Sequence, residues 1–252
     1  MRNIPTHGYA KLSALHVYPI INRKMCRKAI SKTTMSKITY SQNKKIYNDW
    51  LNALSIYERY KRENFLKRNG PLLTGVYFKP MYGGEHYVPV FHTHSLMTPF
   101  PVISINCPKA LQNSKNVTES ISFSRHEKQL EKLVIDFKAQ CPVAFEEELN
   151  FNMVMEFYDD YIHNSIEFPL QAMTDSVLLS FWRNDGISCE NKITKYRVII
   201  DSWPENAQKR FGGAEQWAKD VRQLMNMDSL NATITSELAK FRLESLQDYK
   251  II

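Results

Sequence analysis

Glycine is scarce, with 8 residues in 252, and none falls in GxG, GxGxxG or P-loop spacing. Loops that cradle phosphate need closely spaced glycines so that backbone N–H groups can approach the anion. NTPase, kinase and Rossmann-enzyme chemistry are therefore not expected, and neither is a cofactor. The GxSxG nucleophile elbow and the HExxH zinc motif are also missing. The closest two of the four cysteines (Cys26, Cys107, Cys141, Cys189) are 34 residues apart, so no CxxC zinc or redox spacing exists. Free thiols in a reducing cytoplasm are the expectation. No apolar run reaches the length that spans a bilayer, so no membrane association is expected. Acidic residues are missing from the whole N-terminal region, the first being Asp49.

What is present is an ordinary globular composition, 43 % apolar and 23 % charged, with an uneven charge. Residues 1–70 carry 15 lysines and arginines against three acids, whereas residues 141–190 carry 10 acids and one base, Arg183. Such asymmetry points to nucleic acid or membrane contact. The same polarity would arise if the basic end simply neutralised the acidic middle. The first 48 residues also have the composition of an organellar transit peptide.

Periodicity gives an α+β reading: a small, mostly antiparallel central sheet, a helix-rich C-terminal third and a basic N-terminal arm. The arm is taken as residues 1–45 and the α+β domain as 46–252, with a weak boundary at 108–123. A helix is expected over 43–68, with Ile46, Trp50, Leu54 and Tyr57 as its apolar stripe. Strands are expected at 72–79, 86–94 and 101–106, with Pro89 marking the second as an edge. A helix follows from Ser124 to Cys141, opened by a Ser124/Glu127 capping box. Alternation at Leu149, Phe151, Met153, Met155 and Phe157 predicts a strand over 148–158. A helix is predicted at 169–183 and a β-branched strand at 193–200. Helices broken at Gly212-Gly213 complete the chain, the last over 235–248.

Three constellations carry possible chemistry. Asp136 and Lys138 resemble the closing half-motif of the PD-(D/E)xK nucleases, in which an acid binds metal and a lysine positions water. In those enzymes the motif lies on a strand, whereas the spacing here predicts the polar face of a helix. His92 and His94 would share one strand face with His86. They are the candidate metal ligands, loosely resembling the His-x-His of JAMM metalloproteases but without that family's downstream Asp. The acids Glu146, Glu147, Glu148, Glu156, Asp159 and Asp160 form a solvated face or a docking surface for the basic arm.

The reading adopted is a non-catalytic nucleic-acid-associated protein. Its phosphate contacts would come from Arg23, Lys24, Arg27, Lys28, Lys44, Lys45, Arg59, Lys61, Arg62, Lys67 and Arg68, interleaved with aromatic residues. Two alternatives stand beside it. One is a protein-interaction or inhibitor module whose basic arm binds an acidic partner or a second copy. The other is a metal-dependent nuclease or hydrolase.

Overall fold

The computed structural model describes residues 37–61 and 64–252. Its architecture is the expected α+β one, an antiparallel sheet flanked by helices. Five strands form a meander in chain order: β1 (Glu58–Tyr60), β2 (Asn64–Asn69), β3 (Leu72–Met81), β4 (His86–Ser95) and β5 (Asn106–Ala110). A short β6 (Ile121–Ser122) joins β4, and β7 (Asp248–Tyr249) joins β2 in parallel.

The helices are α1 (Tyr40–Ala53), α2 (Phe123–Gln140), α3 (Phe151–Asn164), α4 (Leu170–Trp182), α5 (Gly186–Asp201), α6 (Glu205–Phe211), α7 (Gly213–Leu224) and α8 (Met227–Phe241). Among the described residues no helix is long and apolar enough to cross a membrane.

Alternation places Phe65, Val76, Phe78, Phe91 and Thr93 on one sheet face, and α1 to α4 pack there. Trp50 of α1 meets Phe78 at 5.8 Å and Phe137 of α2 at 6.0 Å; Phe157 of α3 meets Phe91 at 5.2 Å. The opposite face carries Leu66, Leu73, Gly75, Val88, His92 and His94.

Several elements depart from expectation. The helix over 43–68 ends at Ala53, and residues 58–69 turn into β1 and β2. Asn69-Gly70-Pro71 does not cap a helix. Asn69 pairs with Leu72, so Gly70-Pro71 is the tight turn of a hairpin, with Gly70 at φ +56°. The strand expected at 101–106 begins only at Asn106 and runs to Ala110 as β5. Pro89 is not on an edge strand, because β4 is paired on both sides. Its carbonyl accepts from Leu111 N–H, so its nitrogen faces the side where β4 passes from β5 to β6.

The expected strand 148–158 is α3, capped by Asn150, whose side chain accepts from the N–H groups of Asn152 and Met153. The expected strand 193–200 lies in α5, where Cys189, Ile193, Tyr196 and Ile200 are buried at four- and three-residue spacing. The helix at 124–141 starts one residue early with Ser122 as its cap, so the Ser124/Glu127 pair is not the capping box. The last helix runs over 227–241 instead of 235–248.

Candidate nucleic-acid interface

A reciprocal cap starts α1: the Thr39 hydroxyl accepts from Gln42 N–H, and the Gln42 side chain accepts from Thr39 N–H at 2.8 Å. Ile46 and Trp50 point inward, which leaves Tyr40, Lys44 and Asn48 at four-residue spacing along the outer ridge. Asn48 Oδ1 accepts from Arg59 Nη2 at 3.0 Å, joining β1 to that ridge. The Lys61 ammonium lies 4.8 Å from the centre of the Tyr60 ring. At the ridge's other end, Ile38 N–H donates to Gly84 C=O at 3.0 Å. This bond sets the Tyr82-Gly83-Gly84 turn beside the start of α1. Tyr40 is 75 % exposed and Tyr82 64 % exposed, and Lys37 and Lys79 are exposed beside them. Lys37, Lys44, Arg59, Lys61 and Lys79 form no ion pair with a described residue.

The other sequence candidates are placed differently. Lys45 is exposed but bound to Asp49 at 2.6 Å. Lys67, expected in water, is 1 % exposed. Strand alternation turns it inward, where its ammonium donates to the carbonyls of Glu146 and Glu147 and lies near the Tyr57 ring. Burial lowers its pKa to about 8, against the pull of Glu146 and Glu147. Arg68 is half-buried, paired with Asp248 at 2.8 Å and donating from Nε to Gly70 C=O. Arg23, Lys24, Arg27, Lys28 and Arg62 lie outside the described residues.

His92 and His94 sit in the protein interior, 0 % and 1 % exposed, and not on an edge. His92 Nε2 is 3.1 Å from Asn64 Oδ1, and its Nδ1 has no side-chain hydrogen-bond partner among the described residues. Ser104 N–H donates to His94 Nδ1 at 3.1 Å, so the ring proton is on Nε2, which has no hydrogen-bond partner among the described residues. A metal at that nitrogen would have to displace the proton of an already neutral ring. Burial pushes the two imidazoles down to about 4 and about 3. Among the described residues no three His, Cys, Asp or Glu side chains are grouped to hold a metal. Asp136 and Lys138 lie on the solvent side of α2, with Asp136 bound by Lys132.

Three of the ten acids of the middle are paired with cations elsewhere in the body: Asp159 with Lys195, Asp160 with Lys109, and Glu190 with Arg222.

Two buried networks escape sequence reasoning. In the first, Trp50 Nε1–H donates to Tyr87 Oη at 3.0 Å, so the Tyr87 hydroxyl donates to His126 Nδ1 at 2.7 Å. His126 Nε2–H then reaches Asp49 at 3.1 Å. Partial burial pushes Asp49 up, but the bonds from Lys45 and His126 outweigh it and hold the carboxyl below its ordinary value. Every member has a partner, and the network clamps α1 to β4 and α2. In the second, Asp175 of α4 accepts from Asn106 Nδ2 at 2.7 Å and Gln171 Nε2 at 2.8 Å, with Ser95 as a third partner. The available signal for it is a lone carboxylate in a helix that carries no other charge and is mostly apolar.

Compared with known proteins, the chain matches no family, no curated protein and no solved structure.

Proposed function

We propose that the protein is a non-catalytic nucleic-acid-associated factor that engages phosphate through residues 1–36 and through the ridge of α1 and β1 that follows them in sequence. The carrying observation is where the charge lies. Residues 1–36 hold 7 lysines and arginines and no acid, whereas residues 37–252 hold 26 basic and 26 acidic side chains. The whole excess of +7 therefore sits at one end of the sequence. A neutral body exerts no net long-range pull on a polyanion, so the attraction comes from that end. Support comes from the cations that follow it, Lys37, Lys44, Arg59 and Lys61, all exposed and without an acidic partner among the described residues. Asp159, Asp160 and Glu190 are engaged by cations of the body, so those three acids do not need the basic end for neutralisation. The buried, unpaired thiols of Cys107, Cys141 and Cys189 suit a cytoplasmic factor.

A protein-interaction role ranks second. Its support is the exposed Phe168, two residues from the fully exposed Ile166 and in a ring cluster with the half-buried Trp203 and Phe211 at 4.9 to 6.0 Å.

The test is polynucleotide binding by the full chain and by a variant with Arg23, Lys24, Arg27 and Lys28 replaced by Gln. The variant should bind at least about tenfold more weakly at moderate salt, because each phosphate contact adds counterion release. Equal binding by the two proteins would remove the basic N-terminal region from the function.

A further inference from the structure

We infer that the α1 ridge is a stacking platform for single-stranded nucleic acid, with Tyr40 and Tyr82 receiving unpaired bases. The inference rests on the nucleic-acid reading above and adds the kind of strand. Large aromatic side chains are normally drawn inside, yet these two tyrosines keep 75 % and 64 % of their surface in water. They belong to different elements, brought together by the Ile38-to-Gly84 hydrogen bond. Tyr82 is held in a specific pose. Its backbone lies at φ +50°, a conformation in which a bulky residue is an outlier and glycine would be at ease. Its ring meets the His86 ring edge-on at 5.2 Å, and His86 Nδ1 is in turn 2.8 Å from the Ser120 hydroxyl. A ring fixed in place gives up little freedom when a base stacks on it.

Cations alternate with the rings. Lys44 follows Tyr40 by one helical turn, about 6 Å along the axis, close enough for one nucleotide to touch both. Lys37 and Lys79 flank the two tyrosines in sequence. The acid nearest Tyr40 in sequence is Asp49, which is taken up by Lys45 and His126, and the acid nearest Tyr82 is the half-buried Glu85. Exposed rings interleaved with cations suit unpaired bases, since every base offers a π-face and the phosphates follow the charge. A duplex hides those faces in its stack and would use only the cations.

The experiment measures binding of the full chain to three probes: an oligothymidine of about 15 nucleotides, a duplex of equal length, and inorganic polyphosphate of matched charge. The oligothymidine should bind best. Tyr40→Leu and Tyr82→Leu should each weaken that complex by about five- to a hundredfold while leaving polyphosphate binding unchanged. Tyr40→Phe, which keeps the ring, should bind like the wild type. All four proteins should melt at similar temperatures, because both side chains are mostly in water. If all probes bind and the Leu variants are unaffected, the stacking platform is wrong and the phosphate reading stands. If no polynucleotide binds at low salt, both fall.

Discussion

Asp175 is the one charged residue of α4, and burial raises its carboxyl to about 7 despite the bonds from Gln171, Asn106 and Ser95. The raised value has a consequence for stability. In the unfolded chain the group ionises near the ordinary carboxylate value, while in the folded protein it holds its proton to about neutrality. Its contribution is therefore fully present below about pH 4 and is lost as pH rises through 7. His92 and His94, held low by burial, act in the opposite sense, losing stability as pH falls from their ordinary value toward 4 and 3. The effect of Asp175 is isolated by comparing urea midpoints of the wild type and Asp175→Asn. The wild type should lose stability relative to the variant between pH 5 and 8, by on the order of a few kcal/mol. A constant difference across that range would mean that Asp175 is not protonated in the folded protein.

Other single residues show what the sequence could and could not reveal. His92-Thr93-His94 reads as a possible ligand pair because nothing in the sequence says which face is covered. The explanation lies across the sheet. Gly75 pairs with His92, and a Cβ at position 75 would come within 2.3 Å of His92 Nε2. The glycine makes room for the imidazole, a relation between residues 17 positions apart that periodicity does not register.

At the scale of elements, the expected helix over 43–68 was legible in its first half only. Ile46 and Trp50 are buried on α1 as their spacing predicts, whereas Leu54 and Tyr57 are buried as the helix cap and in the segment beyond it. Beyond them, Phe65, Lys67 and Asn69 face one side of β2 while Leu66 and Arg68 face the other, a period of two disguised by inward-pointing polar residues. A buried lysine breaks the rule that charge marks the outer face, and the rule failed there. The strand readings of 148–158 and 193–200 failed for the reverse reason. Alternating and β-branched residues fit a helix equally well once packing selects Val154, Tyr158 and Ile162, or Ile193, Tyr196 and Ile200.

These placements separate scaffold from surface experimentally. Trp50→Ala should destabilise the fold by about 3–5 kcal/mol, since it removes a fully buried ring and the donor to Tyr87. Lys67→Ala should cost about 1–3 kcal/mol by stranding the carbonyls of Glu146 and Glu147. Lys44→Glu and Arg59→Glu should stay within about 0.5 kcal/mol, because both side chains are in water. Denaturant unfolding of the four variants checks this, and an unfolded Lys44→Glu or Arg59→Glu would show that the ridge is structural.

At the scale of the whole molecule, the fold class was legible because a meander with tight turns and amphipathic helices writes itself in local periodicity. The candidate interface was half legible. Charge sorting pointed to the N-terminal region, but composition treats every lysine alike. Only packing separates Lys44, Arg59 and Lys61, which face water, from Lys45, Lys67 and Arg68, which are engaged by Asp49, Glu146 and Glu147, and Asp248. The link between the segments that carry Tyr40 and Tyr82 is likewise a backbone bond, Ile38 to Gly84, between residues 46 positions apart.

The central claim is that phosphate is gripped by the basic end and the ridge. The measurement that tests it most directly is the slope of log binding constant against log salt concentration for a single-stranded oligonucleotide, in the wild type and in Lys44→Glu/Arg59→Glu/Lys61→Glu. The wild type should show a steep negative slope. The triple variant should fold normally, bind more weakly and have a slope shallower by about 0.7 for each phosphate that is no longer neutralised. An unchanged slope and affinity in a folded triple variant would contradict the account.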